Sequence, residues 1–288
     1  MKILVTGASG FVGAPLVREL KARGHHVLEC GRSSPNTCDL LDCTKTESFL
    51  ESEKPQGLIH LAWETSHGSY WSSPANLRWV SASLHLLEAF AHFGGKRVLV
   101  TGTSAEYYWD GIHTLSEFNT PTVPNSLYGV SKNSLRQILE TWAPLANISL
   151  GWARLFCPFG PGEKEIRLIP RVVKTLASGN TLEFDNGLLI RDFIHVNDQA
   201  EALADFFESP VTGPVNIATG EGTSIREIIE QISNVLDVTS KVRFGAKEDS
   251  SDLPLRVVAD VRRLQQEVIW SPTKKIMDRI AEYCHSMS

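Results

Sequence analysis

The sequence predicts a doubly wound, parallel α/β sheet joined to a smaller, interleaved C-terminal domain. Three observations lead there. An apolar strand near Ile3 to Val5 runs straight into the glycine-rich turn Thr6-Gly7-Ala8-Ser9-Gly10-Phe11-Val12-Gly13. Short apolar runs then alternate with amphipathic helical stretches as far as Arg154, and beyond it the sequence becomes rich in turn residues. Alternation of this kind builds a parallel sheet whose ligands lie at the carboxyl ends of its strands.

The glycines come first. Gly7, Gly10 and Gly13 permit a tight turn and let the backbone N–H groups of the turn, Phe11 and Val12 included, approach an anion. The helix that follows, Gly13 to Ala22, directs its positive dipole end at the same place. Further strands are predicted near Val27 to Cys30, Leu58 to Leu61, Arg97 to Val100 and Ile148 to Arg154, with helices near Thr44 to Glu53, Asn76 to Phe93 and Leu127 to Trp142. Phe156-Cys-Pro-Phe-Gly-Pro-Gly162 then reads as a connection, followed by a helix near Arg167 to Ala177. A hairpin is expected from Leu182 to Phe193, turning at Asp185-Asn-Gly187. A helix near Asn197 to Glu208 and a strand at Pro214 to Ala218 return to the first domain, while Ser224 to Leu236 and the C-terminal segment build the second. The expected domains are therefore 1–155 plus 195–218, and 156–194 plus 219–288.

Composition excludes several classes. With 288 residues, 42% hydrophobic and 21% charged, the chain reads as a soluble globular protein, and a formal charge of −5 provides no basic footprint for nucleic acid. No apolar run reaches the length of a membrane span or resembles a signal segment. The five cysteines are odd in number and lack metal-type spacing, so reduced thiols, a cytoplasmic location and no metal site are expected.

Chemistry is suggested by Ser126-Leu-Tyr128-Gly-Val-Ser-Lys132. Residues four apart share a helix face, so the Lys132 ammonium is expected beside the Tyr128 phenol. A neighbouring positive charge favours phenolate and brings tyrosine toward the pKa range useful for proton transfer.

With the glycine turn and this pair in hand, the chain resembles the extended short-chain dehydrogenases/reductases that modify nucleotide-activated sugars. The resemblance spans nearly the whole chain, through Thr6-Gly-x-x-Gly-x-x-Gly13, Asp39-Leu40, His60-Leu61-Ala62, Thr103, Tyr128-x-x-x-Lys132, Arg191-Asp-Phe-Ile-His-Val196 and Val215-Asn-Ile-Ala218. It implies a Rossmann-type NAD(P) domain, with Asp39 and Leu40 at the adenine, Leu61 and Ala62 along the cofactor, and Lys132 on the nicotinamide ribose. It also implies a hydroxyl at Thr103 that orients the reacting oxygen, and a homodimer formed through the helices near 76–93 and 127–142.

The end of the second strand bears on the cofactor. Where relatives that use NAD carry an acidic residue, this chain has Gly31, followed by Arg32 and Ser33. A guanidinium and a hydroxyl accept a 2′-phosphate that a carboxylate would repel, so NADP(H) is expected to be preferred, with NAD(H) as the alternative.

Missing groups narrow the reaction. Related dehydratases carry Asp-Glu after the Thr, and related epimerase-reductases a Cys at the second of those positions, whereas this chain has Ser104-Ala105. Ser104 and Glu106 are taken as substrate contacts. Arg191 is placed near a nucleotide diphosphate or, with equal weight, in an ion pair with Asp192 or another carboxylate that holds the two domains together; His195 is expected to be a packed structural residue. Trp63, Tyr70, Trp71 and Tyr107-Tyr108-Trp109 are candidates for lining a sugar pocket. The expected activity is NADPH-dependent reduction of a nucleotide-diphosphate 4-keto-6-deoxy sugar. A nucleotide-sugar 4-epimerase is the alternative, and a non-catalytic cofactor scaffold the third.

Overall fold

The computed structural model describes residues 1–31, 38–66, 68–109, 111, 113–247 and 253–287. Arg32 and Ser33 lie outside the described residues. The first part of the chain runs β1 (Lys2–Thr6), α1 (Gly13–Ala22), β2 (His26–Cys30), α2 (Cys43–Glu53), β3 (Gly57–His60), α3 (Ala75–His92), β4 (Arg97–Thr103), α4 (Leu127–Leu145) and β5 (Ser149–Leu155). The second part runs β6 (Cys157–Phe159), α5 (Leu168–Ala177), β7 (Leu182–Glu183), β8 (Ile190–Arg191), β9 (Phe193–His195), α6 (Val196–Glu208), β10 (Gly213–Ile217), β11 (Thr223–Ser224), α7 (Ile225–Val235), β12 (Val242–Arg243), β13 (Arg256–Val257) and α8 (Ile276–Met287).

Six strands form a parallel Rossmann-type sheet in the order β10-β5-β4-β3-β1-β2. Both faces are covered, which is why its strands read as continuous apolar runs. Ile3, Val5, Ile59 and Leu99 pack with Leu16 and Leu20 of α1 and Leu203 and Phe206 of α6. Leu4, Leu58, Val98 and Val100 pack on the opposite face with Leu86 and Leu87 of α3 and Leu135 and Leu139 of α4. From β1 the chain goes outward to β2 and then back past β1 to β3, so the direction of winding reverses between β1 and β3. A crevice opens at the carboxyl ends of strands at such a reversal.

A separate apolar cluster, with Phe159, Val172, Leu176, Ile228, Ile232, Ile280 and Tyr283, joins α5, α7 and α8 to the irregular part of the chain. The buried Asp192 carboxylate stitches this part together, accepting from the N–H and hydroxyl of Thr219 and from the N–H groups of Gly220 and Ala259.

The expected hairpin does not form. Its turn is present, with Gly187 at φ 65° and its N–H bonded to the Asp185 carboxylate at 2.7 Å. The flanking strands nevertheless diverge: β7 pairs with β12, and β8 lies between β11 and β13. Backbone bonds from Arg226 to Gly187, Ile225 to Leu189 and Ile190 to Leu255 tie the second arm to distant segments. These long-range partners are two-residue strands without a period for sequence reasoning to detect. No helix among the described residues is long and apolar enough to cross a membrane.

Candidate active site

The glycine turn fills the end of the crevice with backbone alone. Gly7, at φ 71°, lies so close to β3 that an added Cβ would meet Ala62 N at 2.9 Å, and a Cβ on Gly13 would meet Gly7 O at 2.1 Å. The α1 N-terminus has Val12 as its cap residue and no side chain bonding its free N–H groups. A backbone cradle at an uncapped helix N-terminus suits a dinucleotide pyrophosphate. Leu61 N and Ala62 N are fixed on Thr6 at 3.2 and 3.3 Å. Asp39 is exposed and turns its carboxylate to Leu41 N, while Leu40 is buried.

Behind this cradle runs a buried relay. Ser83 donates its hydroxyl to Trp79 O at 2.6 Å, so its oxygen accepts from His60 Nε2 at 2.8 Å. Nδ1 of His60 is then the acceptor for the Thr6 hydroxyl at 2.7 Å. Burial, followed by the nearby Lys132 charge, pulls the His60 pKa down to about 3, in agreement with a neutral ring. Glu29, near the end of β2, is paired with Lys21 at 2.6 Å.

Thr103 and Tyr128 are brought together, whereas the Lys132 ammonium, expected beside the phenol, is turned to Thr101 and Trp63. Thr103 is the last residue of β4. Tyr128 lies in the first turn of α4, where Ser126 Oγ caps Gly129 N and Trp71 O accepts from Tyr128 N at 3.1 Å. The Thr103 and Tyr128 side chains are hydrogen-bonded. Lys132 Nζ donates to Thr101 O at 2.8 Å and lies 3.9 Å from the centre of the Trp63 ring. Its charge is therefore engaged by a carbonyl and an aromatic face. Desolvation lowers its pKa to about 7. The Tyr128 phenol is pushed above its ordinary pKa by burial and then by Tyr70, with the Thr103 bond opposing the rise. Burial, rather than the lysine charge, dominates the phenol and keeps it protonated.

Glu106 is not available to a substrate. Residues 104–106 form a 3₁₀ turn instead of extending the strand, and Thr103 caps that turn reciprocally with Glu106. The fully buried carboxylate accepts from Thr103 N at 2.8 Å, from Trp152 Nε1 at 3.0 Å and from Arg154 Nε at 2.8 Å. Arg154 continues to the Tyr107 hydroxyl, and Tyr107 to Asn216 on β10, both at 2.8 Å. Tyr107 is thus a structural residue. Ser104 is half-buried on the same turn, its carbonyl taken by Trp109 Nε1 at 2.8 Å.

Three of the other aromatic candidates enclose Tyr128, whereas Tyr108 is exposed. Tyr70, Trp71 and Trp63 meet its ring edge to face, at centroid distances of 5.0, 5.7 and 6.5 Å. Arg167, which sequence reasoning missed, stands just ahead of α5 without a capping bond and hydrogen-bonds the Tyr70 side chain. Its charge is felt at Tyr128 and at Cys157, and Arg191 acts on Cys157 as well. Arg167 lies in the charged stretch Glu163-Lys-Glu-Ile-Arg167, where nothing local separates it from a solvated loop charge. Cys157 itself has its pKa raised to about 11, chiefly by burial, which makes it a poor nucleophile.

Arg191 does not pair with Asp192, whose carboxylate is bonded elsewhere; its Nη1 donates to Ile190 O at 2.8 Å and Leu255 O at 3.4 Å. His195 is buried and caps α6 by accepting from Asn197 N at 3.3 Å. Among the described residues no three His, Cys, Asp or Glu side chains gather to hold a metal ion.

Comparison with known proteins agrees with this geometry. The chain is 26% identical to a UDP-glucose 4-epimerase of Corynebacterium glutamicum over 98% of its own length and 94% of that protein. It is 27% identical to a GDP-6-deoxy-D-mannose reductase of Pseudomonas aeruginosa, over 94% of this chain and 92% of that one. Its fold matches that of the UDP-glucose 4-epimerase of Thermus thermophilus, solved in complex with NAD, with a TM-score of 0.85, 22% identity and coverage of 99% and 98% of the two chains. The model of the NAD dependent epimerase/dehydratase family matches residues 3–218, and the protein belongs to that family of extended short-chain dehydrogenase/reductase enzymes.

Proposed function

We propose that the protein is an NADPH-dependent reductase of a nucleotide-activated 4-keto-6-deoxy sugar, with Tyr128 as proton donor. The observation that carries this reading is a buried Tyr128 hydrogen-bonded to Thr103, ahead of a turn whose residues 105 and 106 offer no second proton-transfer group. Ala105 has none, and the Glu106 carboxylate is bonded to Arg154, Trp152 and Thr103 N. That turn serves one oxygen at one carbon. Removing water from a sugar, or inverting a carbon beside a ketone, requires a further acid or base.

When bound in the glycine cradle, the dinucleotide supplies hydride. In this reading Thr103 donates a hydrogen bond to the sugar oxygen and fixes it against Tyr128, which gives up its phenolic proton as negative charge develops there. Lys132 would hold the nicotinamide ribose, and its ammonium, when protonated, would favour the phenolate left behind. Trp63, Tyr70 and Trp71 exclude water from the phenol. Arg167 and Arg191 supply positive charge for a diphosphate, a group that guanidinium binds bidentately. The segments 156–194 and 219–288 act as the substrate domain. The NADP(H) preference rests on Gly31, Arg32 and Ser33 in the sequence and on Glu29 being engaged by Lys21.

The 4-epimerase reading uses the same oxygen and the same residues, with the cofactor retained through oxidation and re-reduction. The expected NADP(H) preference favours the reductase, since that cofactor leaves and is replaced at each turnover, whereas an epimerase retains it. Purified protein incubated with NADPH or NADH and a panel of nucleotide-linked 4-keto-6-deoxy sugars is expected to consume NADPH stoichiometrically. Interconversion of a fully reduced nucleotide sugar without net consumption would establish the epimerase instead. Homodimer formation through α3 and α4 belongs to the same proposal, and a monomer in sedimentation equilibrium would remove it.

A further inference from the structure

Two thiols beside the cofactor crevice take no part in the chemistry above. Cys30 ends β2, and its carbonyl accepts from Ala8 N of the glycine turn at 3.3 Å. Its thiol is directed at Cys38, reaching the Cys38 carbonyl oxygen at 3.2 Å and hydrogen-bonding the Cys38 side chain. The Cys38 sulfur also lies 3.8 Å from Thr46 Oγ1 at the start of α2. Cys30 is buried and Cys38 half-buried, so an external reagent meets Cys38 first and finds Cys30 directly behind it. This is the arrangement of an attacking and a resolving thiol. The Cys30 hydrogen bond also holds the Cys38 thiol below its ordinary pKa, which increases the thiolate present near neutral pH.

We propose that Cys30 and Cys38 form a thiol–disulfide exchange site that is closed by small disulfides and weakens dinucleotide binding when closed. The Cys38 thiolate attacks one sulfur of a low-molecular-weight disulfide such as oxidised glutathione. The reagent's S–S bond breaks, one glutathione thiolate leaves, and a mixed disulfide forms on Cys38. Cys30 loses its proton and attacks the Cys38 sulfur, expelling the second glutathione. Two protein thiols are oxidised, one glutathione disulfide is reduced to two thiols, and the two protons end on the released glutathione. A covalent S–S bond of about 2.05 Å is much shorter than a hydrogen-bonded sulfur contact, so closure draws the end of β2 toward Cys38 and removes the bond to the Cys38 carbonyl. Ala8 hangs on one of these residues, and Leu40 follows the other by two positions. The effect on binding rests on the cofactor reading; the exchange itself does not.

The folded protein would be incubated with millimolar oxidised glutathione, its free thiols trapped, its disulfides mapped by mass spectrometry, and its NADPH affinity measured by fluorescence titration. The expected result is a Cys30–Cys38 link together with an affinity loss of about tenfold or more, reversed by dithiothreitol. Cys38→Ser should bind NADPH as the reduced protein does and remain insensitive to oxidised glutathione. Absence of the link, a link to Cys43 instead, or a Cys30–Cys38 link with unchanged affinity would overturn the proposal. A reduced protein that binds neither NADPH nor NADH would overturn the cofactor reading and the control of binding with it, while the mapping decides the exchange site by itself.

Discussion

Replacing Tyr128 with phenylalanine is expected to lower turnover by about 10²–10⁴-fold while leaving dinucleotide affinity within about twofold, because general acid catalysis contributes on that scale. The substitution is selective. Phenylalanine keeps the ring that meets Tyr70, Trp71 and Trp63 edge to face, and it keeps the backbone N–H bonded to Trp71 O. Only the hydroxyl bonded to Thr103 disappears. Cofactor binding followed by fluorescence and single-turnover rates on a productive substrate separate the two effects. Turnover equal to that of the parent would take Tyr128 out of the mechanism.

A different part of the molecule should dominate stability. Glu106→Ala is expected to cost about 3–5 kcal/mol, the range for leaving one partner of a buried ion pair uncompensated. Arg154 and Glu106 are both essentially fully buried, and Arg154 packs its guanidinium 4.4 Å from the centre of the Tyr107 ring. Without the carboxylate, its charge has no comparable partner, Trp152 Nε1 loses its acceptor, and Thr103 N is freed at the mouth of the site. The double substitution Glu106→Leu with Arg154→Met should recover a substantial part of the loss, since a buried pair replaced as a unit by apolar side chains is often close to neutral. Urea titrations of the parent, the single and the double variant measure this directly. A midpoint for Glu106→Ala within the scatter of surface substitutions would mean that the pair contributes little.

The sheet was legible because its inner strands β1, β3 and β4 are buried on both faces and α1, α3 and α4 carry apolar stripes, so local pattern and tertiary environment agree. The cradle was legible for a related reason: Gly7 and Gly13 occupy places where a Cβ would strike backbone, and only one residue type fits there. Three features escaped. Glu106 was expected at the substrate as the carboxylate nearest to Ala105, whereas a reciprocal cap bends residues 104–106 into a 3₁₀ turn and holds the carboxylate inward. The effect of Lys132 on Tyr128 was inferred from helical spacing, but Trp63, far away in sequence, claims the ammonium face, and the pKa of the phenol follows its burial. The arms of the expected hairpin carry two-residue strands whose partners lie at 223–257, and pairing over such distances leaves no periodic trace.

The position of β10 has a consequence for how the molecule is made. This strand pairs along β5, yet the chain reaches it only after passing through β6 to β9 and α6. During synthesis from the N-terminus, β1 to β5 can assemble while one edge of β5 stays open. Asn216, which receives the Tyr107 hydroxyl, and Val215 and Ile217, which complete one face of the sheet, are still inside the ribosome or newly emerged. An unpaired parallel edge is a template for the wrong strand, and non-local pairing of this kind is slow. The open edge of β5 is covered only when Gly213–Ile217 docks, so completing the sheet requires chain from both parts of the polypeptide.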